Sequence, residues 1–178
     1  DFVDIYVFAD EEYMPSGPPN SPLTTSYFTT WAYFDCRFGP DGETIGSCML
    51  DLAEVFEMSS ALIKATQGFV QSRMGIYEVI GKTGNKIILR ELLTNAEYLS
   101  LLPTGYNARP GELLYIRLCP PCDENLDYHV GFTSPYVLIN QTAKDWTAFL
   151  RRTLPHVDSD NMKAALCQFM KYGPIDRI

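Results

Sequence analysis

The feature that most constrains this chain is a change of period at Gly75. Before it, apolar residues recur every three to four positions. After it they fall into short extended runs, IYEVIG and KIILREL, then EYLSLL, ELLYIRL, DYHVGF and YVLI. The KTGN between the first two runs is a hairpin turn signal, because glycine and asparagine tolerate positive φ. The connections TGYNARPG, CPPCDENL and TSP are too short to hold a crossover helix, which neighbouring parallel strands require. Five to six short strands joined this way predict a central antiparallel sheet or small open barrel over residues 75–139.

Both flanks read as helical. Ser21 followed by Pro22 is a helix start, since the serine oxygen accepts an orphan amide and proline loses nothing at the first helical position. Leu23, Tyr27, Trp31 and Phe34 then predict a helix over about residues 22–35 with an aromatic inner stripe. After the turn FGPDGET, the run IGSCMLDLAEVFEM predicts a second helix with Cys48, Leu52, Val55 and Phe56 on one face. Ser59 or Ser60 caps a third, with Leu62, Ile63, Thr66 and Val70 inward. Ahead of these, FVDIYVF suits an edge strand or a short helix, and YMPSGPPNSP makes residues 13–21 a loop. Beyond the strands, Thr142 caps AKDWTAFLRR, and Ser159 or Asp160 opens NMKAALCQFMKY, which Gly173 and Pro174 stop. Trp146, Phe149 and Leu150, like Leu166, Phe169 and Met170, are spaced to pack on the sheet. The expected architecture is α+β in a single domain over residues 1–178. It comprises an N-terminal arm and loop (1–21), a helical part (22–73), a β-rich part (75–139) and two C-terminal helices (141–173).

Charge narrows the partners. Through Glu57 the chain has eleven acidic residues against the single Arg37, while the remainder has eleven acidic and thirteen basic. Such a field repels phosphate backbones and anionic lipid, so nucleic acid and membrane are excluded as expected partners. An acidic face for a basic partner is one reading, and a solvated face that aids solubility is the plainer one. No run approaches the ~18 apolar residues of a spanning helix. The opening DFVDIYVFADEE lacks the basic lead of a signal peptide, which predicts a cytoplasmic location. Five cysteines, Cys36, Cys48, Cys119, Cys122 and Cys167, are too sparse and too odd in number for a secreted disulfide framework.

Cys119 and Cys122 form CPPC, the sharpest local chemical signal. A two-residue spacer brings both sulfurs within reach of each other or of one metal ion. A redox dithiol wants its first cysteine at a helix N-terminus, and CDENLDYHV reads as turn and strand. Zinc needs further ligands, and His129 is the nearest in sequence. The set Cys119, Cys122 and His129 is therefore the metal or redox alternative to a plain turn; otherwise no cofactor is predicted. A Cys122–His129 nucleophile pair has no elbow, oxyanion-hole motif or third member beside it. Asp10, Glu11 and Glu12, and likewise Asp41, Glu43 and Asp51, lack the ligand alternation of a calcium loop. GKTGNK contains GKT without the leading glycine of a phosphate-binding loop. Arg109 and Arg117 near Tyr106 and Tyr115 suit an anion or peptide site, and equally an ordinary half-exposed strand face.

Three segments, YFTTWAYFD, SRMGIYEVIGKTGNKIILRELLTNAEY and RPGELLYIRLCPP, together span about residues 22–121. They resemble parts of uncharacterised bacterial proteins that often end in a small zinc-binding SEC-C tail. The resemblance implies a helix bearing a tryptophan and a following aspartate, then a hairpin, then a strand ending in an arginine. No cysteine-rich tail follows here, so that tail's zinc site does not carry over. The group has no assigned activity, and what the resemblance implies is fold order. Two functions are therefore expected of the chain. The first is a non-enzymatic binding or adaptor module for a protein partner or small ligand. It would use either the sheet face around Tyr77, Arg90, Tyr115 and Arg117 or the acidic helical half. The second is a thiol-redox or metal-binding protein built on the CPPC pair.

Overall fold

The computed structural model describes residues 1–13, 22–102, 106–123 and 125–153. Chain contacts separate two compact units, of which Asp1–Val70 belong to one and Gln71–His156 make the other. No helix among the described residues is long and apolar enough to cross a membrane. The expected loop from residue 14 to 21, the second C-terminal helix, His156 and Cys167 lie outside the described residues.

The first unit is helical. The opening segment, ambiguous between strand and helix, is helix α1 (Phe2–Tyr13), followed by α2 (Pro22–Phe34), α3 (Ile45–Asp51) and α4 (Ser60–Gln71). Helix α2 carries the core: Tyr27, Phe28, Trp31 and Ala32 are buried along one side. Tyr6 of α1 packs edge-on to Phe28 at 6.0 Å, and its hydroxyl lies 3.3 Å from that of Thr29. Phe34 packs against Phe69 of α4 with ring centres 5.5 Å apart and planes tilted by 40°. Helix α3 begins in a capping box, in which the Ser47 amide donates to Thr44 Oγ1 and the Thr44 amide donates to Ser47 Oγ.

Two helix expectations need correction. Helix α3 stops at Asp51, and residues 52–57 run on as turns, closed by the Met58 amide donating to the Ala53 carbonyl with Glu57 at φ +50°. Of the stretch beyond Asp51, Ala53 is buried, whereas Leu52, Val55 and Phe56 are exposed, Val55 by 74%. On α4, Ser59 does cap the helix by accepting from the Leu62 amide, and Thr66 is buried, but Leu62 is exposed. Periodicity identifies a common face; it does not supply a surface for that face to pack against.

The second unit is a barrel. Strands β1 (Arg73–Thr83), β2 (Lys86–Glu91), β3 (Glu97–Leu101), β4 (Leu113–Cys119), β5 (His129–Gly131) and β6 (Tyr136–Leu138) stand where the extended runs placed them. Gly84 takes φ +62° at the β1–β2 turn. The expectation of an antiparallel sheet or small open barrel is corrected in two respects: the barrel is closed, and the sheet is mixed. Strand β1 pairs with both β2 and β4, so β1, β2, β3, β5 and β4 close into a ring, and β6 adds to the free part of the outer edge of β4. The β3–β5 pairing is parallel, Ser100 opposite His129 and Leu101 opposite Val130. Both departures arise because β5, which follows β4 and pairs antiparallel with it, also pairs with β3, a placement relative to a strand distant in sequence that local pattern does not encode.

Strand alternation sends Tyr77, Val79, Ile87, Leu89, Leu114, Ile116 and Leu118 inward with Leu102 and Ala108. A barrel of five strands is filled by such side chains. Gly131 shows how tightly: a Cβ there would sit 2.8 Å from a Leu102 methyl and 2.9 Å from one of Ile116. Helix α5 (Ala143–Thr153) follows β6. As expected Thr142 caps it, exchanging hydrogen bonds with Asp145, and Trp146 and Leu150 are buried.

Candidate functional site

The four residues proposed from sequence as a sheet-face site do not share a face. Tyr77 points into the barrel and is buried; its hydroxyl donates to the Arg73 carbonyl at 3.3 Å. Burial, then the nearby Glu91 carboxylate, push its phenol well above the usual tyrosine range. Tyr115 and Arg117 alternate with the inward Leu114, Ile116 and Leu118, so they lie on the outer side of β4, where both are buried. Arg90 sits opposite Glu78 across the β1–β2 ladder and forms a 2.7 Å ion pair with it. The set thus contributes one interior ring, two covered outer side chains and one paired surface cation.

Arg117 has 0% exposure. Its guanidinium donates to the Ser72 hydroxyl at 2.7 Å, and its backbone amide donates to the Thr133 hydroxyl at 3.0 Å. Removal from water lowers its pKa to about 10. Cys119 ends the same outward row of β4. Its thiol is pushed up to about 11 by burial, with Arg117 and the Ser72 hydroxyl pulling the other way. A thiol held so high is protonated at neutral pH, the reverse of the activated thiolate that redox exchange uses. Cys122 is exposed beyond the strand, and both cysteines are free.

His129, the third member of the metal alternative, is turned to the opposite side of the sheet from Cys119. Cys119 pairs with Val130 across the β4–β5 ladder, so the two share the outer side and the adjacent His129 faces inward. Its ring meets Tyr98 edge-on at 4.8 Å, and burial lowers its pKa. Among the described residues no three His, Cys, Asp or Glu side chains gather as a metal site. One residue of alternation separates a ligand triplet on paper from the observed arrangement.

Two features escaped sequence reasoning. Glu91 is buried inside the barrel, 3.7 Å from the Arg73 guanidinium, and accepts from both the amide and the hydroxyl of Thr94. Its signal was present in KIILREL, where Ile87, Leu89 and Glu91 occupy one side of a period of two. The other is on the first unit. Val3, Val7 and Phe8 of α1 are 65%, 46% and 60% exposed, among Asp4, Asp10, Glu11 and Glu12. Leu52, Val55 and Phe56 are exposed likewise beside Asp51, Glu54 and Glu57. Reading FVDIYVF as a possible strand concealed the first group, and extending α3 to Met58 concealed the second. A comparison with known protein-family models finds no match to this chain, and neither does a comparison with curated proteins.

Proposed function

We propose that this chain is a non-enzymatic binding module that engages a protein partner through its acidic helical unit. The observation that carries the reading is the exposure of large apolar side chains among carboxylates on that unit, Val3, Val7 and Phe8 on α1 and Val55 and Phe56 after α3. Apolar groups rimmed by charge are what a docking surface presents to water before its partner covers it. The barrel supports the same reading, because its interior is filled by its own side chains. Nucleic acid is a poor partner for a unit of this charge, and a cytoplasmic location belongs to the proposal, as does kinship with the SEC-C-associated proteins. The thiol-redox or zinc alternative gains no support from a Cys119 thiol held protonated and an inward His129.

The test is affinity capture of partners from cells that express the full chain. The same preparation is compared with Val55→Ser/Phe56→Ser, Val7→Gln/Phe8→Gln and Cys119→Ser/Cys122→Ser variants. A partner retained by the cysteine variant and lost by one of the helical-unit variants is expected. Retention that depends on the cysteines alone, or a turnover activity abolished by the cysteine change, would sink the reading.

A further inference from the structure

The outward face of α1 has a specific composition. With about 100° between successive residues of a helix, Val3 and Val7 form one row and Phe8 lies roughly 100° further round, with Asp4 and Glu11 between them. The opposite side holds Tyr6 and the buried Ala9, turned toward α2. The face is therefore neither an apolar stripe nor a plain acidic one; the two kinds of side chain interleave. From Asp1 through Cys36 the chain has six acidic residues and no basic one.

Resting on the binding-module reading, we infer that this face of α1 is a docking site for a basic amphipathic helix of a partner protein. Charge complementarity selects that occupant. Lysine and arginine lay long apolar stems over exposed valines while their cationic heads reach the flanking carboxylates, which suits an interleaved surface. A second copy of the chain fits poorly, because a two-fold contact through α1 would set its acids against themselves. Anionic lipid is repelled by the same field. Twelve residues make a helix about 18 Å long and, with side chains, about 10 Å across, so one side of it presents a footprint well below the ~800 Å² per partner of a standard interface. The contact is accordingly weak and salt-sensitive.

The experiment titrates the full, nitrogen-15-labelled chain with a synthetic leucine–lysine peptide about four turns long whose leucines fall on one helical face. A scrambled peptide of the same composition is the control, and amide shifts are the readout. The expected result is saturable shifts at Phe2–Glu12, weakened about tenfold by scrambling the peptide and again by Val7→Gln/Phe8→Gln. Unchanged amides of α2 and α4 in the double variant establish that its helical unit is folded. Equal binding of the scrambled peptide, or an unaffected double variant, overturns the inference. So do α1 shifts that appear on concentrating the chain alone, which identify a second copy as the occupant, or on adding phosphatidylcholine vesicles, which identify lipid. Shifts confined to Leu52–Glu57 remove α1 as the site and leave the module reading standing. Cysteine-dependent partner capture strikes that reading itself.

Discussion

The two units dispose of most of their apolar residues differently, although the barrel unit too leaves Phe132 and Ile139 exposed. In the barrel, alternation commits every second residue to an interior that ring closure seals, so Tyr77, Leu89, Leu114 and Ile116 have no route to water. Its charges are balanced: residues 71–156 carry nine basic and eight acidic side chains, several of them joined in pairs such as Lys86–Asp127 and Arg90–Glu78. In the Asp1–Val70 part of the helical unit, eleven acids face two bases, and short helices bury one side around Phe28 and Trp31 while leaving Val3, Phe8 and Val55 in solvent. A closed sheet consumes its own hydrophobic surface, whereas a few short helices retain some. Excess like charge also disfavours compaction of the unit that carries it. A basic, apolar partner would relieve both conditions at once, and this is the physical basis on which binding through the helical unit is proposed.

The strongest way to break this contrast is to cut into the barrel. Ile116→Ala should cost about 2–5 kcal/mol in urea denaturation, since the interior cannot collapse onto the missing atoms; a loss under about 1 kcal/mol would mean that the barrel is looser than its packing indicates. Gly131→Ala comes next, at about 1–3 kcal/mol, because the added methyl meets Leu102 and Ile116; a neutral result would show that β5 shifts freely.

A smaller effect, because the ring is only half-buried, comes from His129. Its pKa is lowered in the fold, so the unfolded chain binds the proton more readily. The stabilisation is complete above the unfolded value of about 6.5 and is lost as pH falls through the lower folded value. Denaturation midpoints of the parent and His129→Gln chains should diverge over that acid window; parallel curves would remove His129 as a contributor. Smallest of all, Phe8→Ser and Val55→Ser should change stability by no more than about 0.5 kcal/mol. A loss of about 1 kcal/mol or more would show that these side chains are covered in the free chain, and the contrast between the units would fall with it.

Much of the fold was legible in local pattern. The KTGN turn, the six extended runs, the Thr142 cap and the Trp31 stripe each depend on neighbours within a few positions, and each stands where the spacing put it. What was not legible depended on contacts distant in sequence. The length of α3 was misjudged because Leu52, Val55 and Phe56 keep helical spacing whether or not anything packs on them. The candidate site fared worse. Tyr77, Tyr115 and Arg117 look like an exposed recognition set only if one side of the sheet is open to water, and burial of all three removes that premise. The CPPC spacing was legible as two cysteines at a strand end; the inward turn of His129 followed only once Cys119 was seen opposite Val130.

The sequence by itself determined which segments after Gly75 extend, where the KTGN hairpin turns, where the helices at Pro22 and Ala143 begin, and that the acidic charge is concentrated at the front of the chain. Backbone preference, turn chemistry and net charge are local or additive properties, and a linear string carries them in full. Only the tertiary structure decided that the strands close into a ring, that β5 runs parallel to β3, that Arg117 and Glu91 are buried, and that α1 keeps Val3, Val7 and Phe8 in water. Those outcomes depend on which surfaces meet. Burial is a property of pairs of elements, and one element's pattern states what it can cover without stating what arrives to be covered.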